Sequence, residues 1–137
     1  MKIAFTTTDR VHINEHFGAA EKIDVYEVSE DGSEFVETLS FDEELKQDGN
    51  ESKLAAKLDA LADCTIVYVV AIGGSAAARL IKKGVTPIKA RSEEEKITDL
   101  LQKLVKTLKG NPPPWLRKAL QQKSHSFEEE LEEEATV

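Results

Sequence analysis

Thr65-Ile66-Val67-Tyr68-Val69-Val70-Ala71-Ile72 is a continuous apolar run of strand length, rich in valine and isoleucine. A strand that is apolar at every position suits the centre of a sheet that is buried on both faces. The run ends at Gly73-Gly74-Ser75, which turns the chain into an apolar helical segment that stops at Gly84. We therefore predict a central strand followed by a helix that covers one face of the sheet.

The segments before this run predict antiparallel strands. Apolar blocks mark a first strand at Lys2–Thr7 and a second at Ile23–Val28. Glu30-Asp31-Gly32-Ser33 carries the Asp-Gly signal of a hairpin. A third strand follows the hairpin, marked by Phe35, Leu39 and Phe41.

Helices are predicted on both sides of the central run. Asp48-Gly49-Asn50 supplies a turn and a cap for a helix whose apolar face comprises Leu54, Ala55, Leu58, Leu61 and Ala62. After a short strand at Val85–Ala90, Ser92 and Glu95 predict a capping box. The last helix then repeats Ile97, Leu100, Leu101, Leu104, Val105 and Leu108 as far as Gly110.

This order of elements predicts the fold class. Strands come first, and helices and strands then alternate, which implies that the later strands run parallel with helices on both faces. We expect a three-layer α/β/α domain that resembles the ribonuclease H architecture, with a mixed sheet and antiparallel first strands. Residues 1–110 form this domain. Residues 111–137 form a proline-started amphipathic segment and an acidic tail that we expect to be partly disordered.

Composition excludes several classes of function. A chain of 137 residues with 40% hydrophobic residues suits one core, and a net charge of -8 without a basic stripe argues against a nucleic-acid partner. No apolar run approaches the roughly 20 residues that span a bilayer, so we expect a cytoplasmic protein and no membrane partner. The single cysteine, Cys64, excludes an internal disulfide and a four-thiolate iron–sulfur site.

Motifs of the common enzyme classes are also missing from the sequence. Two-metal nucleases need clustered carboxylates, normally with one in the first strand, and Lys2–Thr7 has none. The chain contains no nucleophile elbow, P-loop or dinucleotide fingerprint. We therefore predict a protein that is not an enzyme.

The loop Asp9–Gly18 carries the residues that can bind a metal cofactor. A neutral imidazole such as that of His16 binds iron or molybdenum reversibly, which suits a carrier that later releases its cargo. The alternative for His16 is a histidine that only forms hydrogen bonds within its loop. His12 lies four residues earlier and is either a second metal ligand or a surface residue. The loop follows the first strand, and ligands bind beyond the carboxyl ends of strands in open sheets. We expect this histidine loop to be mobile and to share one rim with Gly73-Gly74-Ser75.

The glycine turn at residues 73–75 has two readings. Small side chains and free backbone N–H groups at a helix start form an anion-binding arrangement, which suits an anionic cluster or its carboxylates. A tight, closely packed turn explains the same residues equally well. At about 3.3 Å per residue, Cys64 lies about 25–30 Å from this rim, so we expect a core cysteine and not a ligand.

Four segments of the chain together resemble a known family. Val11-His12-Ile13-Asn14-Glu15-His16-Phe17-Gly18, after an initial Lys-Ile-Ala-Phe strand, resembles the dinitrogenase iron–molybdenum cofactor-binding family. The resemblance continues through Gln47–Lys57, Cys64–Leu80 and Pro113–Ala119. These matches in order point to the subgroup of X-type nitrogen-fixation accessory proteins.

The resemblance implies a non-enzymatic carrier of the iron–molybdenum cofactor, or of its iron–sulfur precursor, during nitrogenase cofactor biosynthesis. The family's ligand histidine maps onto His16, whereas His12 is outside the family's core pattern. Together with the glycine turn, the predicted cofactor site of this chain comprises Asn14, His16, Phe17, Gly18, Gly73, Gly74 and Ser75. The implied partners are the cofactor-assembly scaffold and the precursor-synthesising proteins, with the carrier itself a monomer or weak homodimer. The alternative is a cofactor-free interaction module whose segment at Trp115 contacts the assembly proteins.

Overall fold

The computed structural model describes residues 1–41, 50–92 and 94–121. Its elements in chain order are β1 (Lys2–Thr6), β2 (Lys22–Ser29), β3 (Gly32–Ser40), α1 (Asn50–Ala60), β4 (Ile66–Val69), α2 (Gly74–Lys82), β5 (Thr86–Lys89), α3 (Ile97–Lys109) and α4 (residues 114–121). The predicted turn at Asp48-Gly49 and the acidic tail lie outside the described residues. Within the described ranges, no helix is both long enough and apolar enough to cross a bilayer.

The five strands form one mixed sheet in the order β3-β2-β1-β4-β5. β1 pairs with β2, and β2 with β3, in antiparallel fashion, whereas β1 pairs with β4, and β4 with β5, in parallel. Every residue of β4 is buried. The predicted mixed sheet with antiparallel first strands, and its doubly buried strand, are therefore confirmed.

Helices cover both faces of this sheet. The face under α1 and α2 buries Ala4, Phe17, Ala20, Ile23, Val25, Leu58, Leu61, Cys64, Val67, Val69, Ala76, Leu80 and Val85. The face under α3 and α4 buries Ile3, Phe5, Ile13, Val28, Ile66, Tyr68, Ile97, Leu100, Leu101, Leu104 and Leu116. Because successive strand residues point to opposite faces, β1 and β4 contribute alternate side chains to both sets. The domain is thus a three-layer α/β/α structure, as predicted.

The buried strand ends earlier than the apolar run predicts. β4 stops at Val69, and the backbone then pairs with the loop after β1. The N–H of Val70 donates to the carbonyl of Glu15, and the N–H of Phe17 donates to the carbonyl of Ala71. The apolar character of residues 70–72 reflects packing beside this loop and does not extend the strand.

The inward face of α1 differs from the prediction. Leu58 and Leu61 are buried, but Ala55 and Ala62 are exposed. Lys57 is buried on this face instead, and its exposed fraction is only 1%. A prediction that counts only apolar residues misses this lysine, because its side chain is buried through hydrogen bonds.

The predicted capping box between Ser92 and Glu95 does not form at the start of α3. The carboxylate of Glu95 accepts a hydrogen bond from the N–H of Arg91 at 2.7 Å. The N-cap of α3 is Lys96, whose extended backbone forms an isolated bridge with His12. This pairing with the histidine loop holds Lys96 extended, so the helix starts only at Ile97.

The turns and the segment after α3 agree with the sequence reading. β2 and β3 are joined by a two-residue turn before Gly32, and Gly84 follows the C-cap of α2 with a φ of 80°. In α4, Leu116 and Ala119 are buried, so this amphipathic segment docks on the core. Trp115 remains 45% exposed beside them.

Candidate functional site

The histidine loop, residues 9–18, comes after β1 and is anchored by its own side chains. Ile13 and Phe17 are completely buried, one on each face of the sheet. The hydroxyl of Thr6 donates to the carbonyl of Glu15 at 2.8 Å, next to the backbone bonds with residues 70 and 71. This part of the loop is hydrogen-bonded to the end of β4.

The start of the loop is tied to β2. Arg10 has a φ of 65°, which is unusual for a residue with a side chain. Its Nε lies 3.4 Å from a carboxylate oxygen of the buried Asp24, and its guanidinium stacks over the ring of Phe35. The hydroxyl of Thr38 donates to the other oxygen of Asp24 at 2.7 Å. These contacts fix the loop at the β2–β3 side as well.

His16 is exposed, between the half-buried Glu15 and the buried Phe17. Its backbone carbonyl accepts a hydrogen bond from the N–H of Ala20 at 3.0 Å. Within the described part of the chain, its imidazole has no hydrogen-bond partner. The ring is therefore accessible to an external ligand, while the backbone of His16 is held by hydrogen bonds.

His12 has a different environment. Its Nδ1 lies 2.7 Å from Oδ2 of Asp9. This side-chain hydrogen bond, with further bonds from the backbone N–H groups of His12 and Val11, holds the pKa of Asp9 well below its usual range. His12 forms a β-bridge, so the i, i+4 helical geometry for two metal-binding histidines does not occur. Its role as a second ligand stays a prediction.

A cleft of about 420 Å³ opens beside the histidine loop. It is lined by Phe17, Gly18, Leu54, Lys57, Gly73, Ser75 and Ala76. The structure thus brings two residues of the loop together with two of the glycine turn at one rim, as the strand order predicted. His16 and Gly74 adjoin lining residues in the chain. Asn14 is occupied elsewhere, since its amide exchanges two hydrogen bonds of 2.9 Å with Thr8.

Three glycines adjoin the cleft at positions where close packing does not require a glycine. A Cβ added at Gly18, Gly73 or Gly74 would meet no atom within 4 Å. None of the three has a φ in the left-handed region. Close packing of the turn therefore does not explain these residues. Open space above a glycine backbone is what a bulky ligand needs for a close approach.

The first turn of α2 gives one end of the cleft a positive character. The helix has nine residues, its N-cap Gly73 makes no side-chain cap, and its first turn contains no acidic residue. The N–H groups at a helix start carry partial positive charge and bind anions. The cleft wall at Gly73 and Ser75 therefore favours a negatively charged group.

Lys57 is the site residue that the sequence analysis missed. Its Nζ donates to the carbonyl of Phe17 at 2.7 Å and to that of Gly18 at 3.1 Å. It also lies 5.6 Å from the ring centroid of Phe17 and 5.7 Å from that of Phe41. The signal was present in the sequence, because position 57 falls within the helical stripe of Leu54, Leu58 and Leu61.

Cys64 lies at the opposite end of the sheet, as predicted. It is 1% exposed and packs in the core under α1 and α2. The next residue, Thr65, donates its N–H to the carbonyl of Lys2 at the start of β1. Across the described ranges, no group of three or more histidine, cysteine, aspartate or glutamate side chains is placed to hold a metal ion.

Comparisons with known proteins agree with this arrangement. Residues 1–107 match the family described as "Dinitrogenase iron-molybdenum cofactor". The protein NifX of Herbaspirillum seropedicae is 47% identical over 134 residues, which cover 96% of this chain and 91% of that protein. The FeMo cofactor biosynthesis protein NifB of the same species is 34% identical over 93 residues, covering 67% of this chain and 18% of NifB. The crystal structure of PH0822 shares the fold with a TM-score of 0.60 at 16% identity, covering 84% of this chain and 99% of that one. The chain belongs to the dinitrogenase iron–molybdenum cofactor family.

Proposed function

We propose that this protein takes part in nitrogenase cofactor biosynthesis as a non-enzymatic carrier. Its cargo is the iron–molybdenum cofactor or the iron–sulfur precursor, which it binds and transfers. The relatives named NifX and NifB support the general role. The observation that carries the finer proposal is the cleft in which Phe17 and Gly18 of the histidine loop face Gly73 and Ser75 of the glycine turn.

Each part of this site has a task in the proposed carrier. The exposed imidazole of His16 supplies one neutral nitrogen ligand, which binds a preassembled cluster reversibly. The open glycine backbone at Gly18, Gly73 and Gly74 lets the cluster approach closely. The start of α2 attracts negative charge on the cluster or on its carboxylates. A single ligand with a polar cradle holds cargo that must later be released.

The setting follows from the same role. The carrier works in the cytoplasm, as a monomer or weak homodimer, and exchanges cargo with the assembly scaffold and the precursor-synthesising proteins. Residues 1–110 bind the cargo, and α4 in the segment that follows docks on them through Leu116 and Ala119. In NifB the same kind of domain covers only a small part of a longer protein, which supports a cargo module used in several assembly proteins.

Anaerobic titration tests the proposal directly. The protein is mixed with the isolated mature cofactor or the precursor, separated from free cluster, and analysed for iron and molybdenum. We expect a brown, iron-containing complex, and about tenfold or greater loss of affinity in His16→Ala, because a metal–imidazole bond is removed. His125→Ala removes a histidine from outside the described residues and is the matched control. Unchanged binding by His16→Ala would refute the ligand assignment.

A second function is favoured by one feature, the exposed indole of Trp115. α4 is docked through Leu116 and Ala119, yet Trp115 is 45% exposed, and exposed tryptophans are frequent anchors of protein interfaces. On this reading the chain is a cofactor-free interaction module. Failure of the unaltered protein to take up either cluster, together with loss of assembly-protein binding in Trp115→Ala, would establish the module and exclude the carrier.

A further inference from the structure

Lys57 lies on α1 and is buried beside the cleft. Burial of an ammonium group costs several kcal/mol unless hydrogen bonds replace its hydration. Two of those bonds go to consecutive carbonyls, those of Phe17 and Gly18, about forty positions away in sequence. Hydrogen bonds from a charged donor are stronger than neutral ones, so this contact between α1 and the loop is a firm one.

The peptide groups after His16 are therefore held from two sides. The N–H of Phe17 donates to the carbonyl of Ala71 beyond β4, at 2.9 Å. The carbonyl of Phe17 accepts from Lys57 on α1, at 2.7 Å. His16 immediately precedes this fixed unit, and the buried ring of Phe17 lies under the same amine. The position of the His16 backbone is thus set by α1 and β4 together.

The same contact keeps the cleft open. Lys57, Phe17 and Gly18 all line it. Because the Gly18 carbonyl is drawn toward Nζ of Lys57, the glycine backbone is held at the cleft wall opposite Gly73 and Ser75. A released Gly18, with its large conformational freedom, would be able to fold into the empty space.

We propose that Lys57 is the positioning residue of this site: its amine fixes the Phe17–Gly18 backbone and thereby the direction of the His16 imidazole and the width of the cleft. Where it concerns cargo, this inference rests on the carrier function proposed above.

The positioning role is tested first in the cofactor-free protein. Amide hydrogen exchange is measured by NMR in Lys57→Met, which keeps a similar length without donors or charge. Lys103→Met, at an exposed position of α3, is the control. We expect exchange at the Phe17 and Ala20 amides to rise about tenfold or more in Lys57→Met only, because buried carbonyls that lose their donor destabilise the local structure. Equal protection in both variants would overturn the proposal.

The effect on cargo is tested with the isolated iron–molybdenum cofactor. We expect Lys57→Met to bind it about tenfold more weakly than Lys103→Met, the loss that corresponds to one charged hydrogen bond. The electron paramagnetic resonance spectrum of the bound cofactor should shift toward the spectrum in His16→Ala, since the imidazole is misplaced. If the spectrum of the cofactor bound to Lys57→Met is identical to that in the wild-type protein, Lys57 serves only in packing and the positioning role is refuted.

Two further outcomes remain decisive. If Lys57→Met does not fold, Lys57→Gln takes its place with the same measurements, because a neutral amide keeps two N–H donors on a shorter side chain. If the wild-type protein takes up no cofactor, the carrier function fails, while amide exchange in the cofactor-free protein still decides whether Lys57 fixes the loop.

Discussion

The two faces of the sheet are built from side chains of different size. The α3/α4 face receives Ile3 and Phe5 from β1, whereas the α1/α2 face receives Ala4 from the same strand. Tyr68 on the first face stacks on Phe5 at a centroid distance of 5.3 Å. The second face adds the small residues Ala20, Cys64 and Ala76.

The cleft lies on the face with the smaller side chains. Small side chains leave room between the sheet and a helix at the edge where the helix starts. On the α1/α2 face that room lies between Gly18 and Gly73, and it is bounded by a buried lysine. We infer that the α3/α4 face provides most of the stability and the α1/α2 face provides the site.

The largest expected effect is on the α3/α4 face. Phe5→Ala removes a completely buried ring that contacts Tyr26 and Tyr68. We expect the free energy of unfolding, measured with urea, to fall by about 3–5 kcal/mol, because transfer energy and packing are both lost. Val36→Ala, at a residue that is 41% exposed, should cost less than about 0.5 kcal/mol. Similar losses in both variants would contradict a tightly packed face.

A second, smaller effect appears at high pH. Burial in the α3/α4 face raises the pKa of Tyr68 from its ordinary 10.0 to about 12. The neutral phenol is favoured in the folded state, so this stabilisation is complete below pH 10 and is lost as the pH rises from about 10 toward about 12.

Absorbance of the phenolate measures this directly. The chain has two tyrosines, and burial raises the pKa of Tyr26 as well. Tyr26→Phe leaves only Tyr68, whose titration in the folded protein should have its midpoint near pH 12. Urea-unfolded protein is the control, with a midpoint near 10. A midpoint of 10 in the folded variant would mean that water reaches this face.

The smallest expected effect on stability is at the cleft. Gly18→Ala and Gly73→Ala place a methyl group in open space, so the free energy of unfolding should stay within about 1 kcal/mol of wild type. Uptake of the isolated cofactor should nevertheless weaken, because the methyl occupies the approach to the backbone. Gly110→Ala, at the end of α3, is the matched control. Wild-type uptake by both cleft variants would show that the cargo does not approach these glycines.

Much of the site was predictable because it depends on strand order. The loop after β1 and the turn after β4 follow neighbouring parallel strands, and the carboxyl ends of such strands meet at one edge. The sequence therefore predicted that Phe17 and Gly18 lie beside Gly73 and Ser75. Residue patterns also predicted the strands, the hairpin and the end of α2 at Gly84.

Features that depend on contacts between distant segments were not predictable. α1 was expected to bury Ala55 and Ala62, yet it buries Lys57, because two carbonyls of the histidine loop come within reach of its amine. α3 starts at Ile97 and not at the predicted box, because the loop pairs with Lys96.

The sequence alone determined the order of the elements, the mixed sheet and the edge at which the site lies, since these follow from local periodicity and from the connection rules of parallel strands. Only the tertiary structure decided how the histidine loop is held, with His16 exposed and the amine of Lys57 hydrogen-bonded to the Phe17 carbonyl. Hydrogen bonds of a polar side chain to distant backbone carbonyls leave no periodic pattern in the sequence, so only the folded chain reveals them.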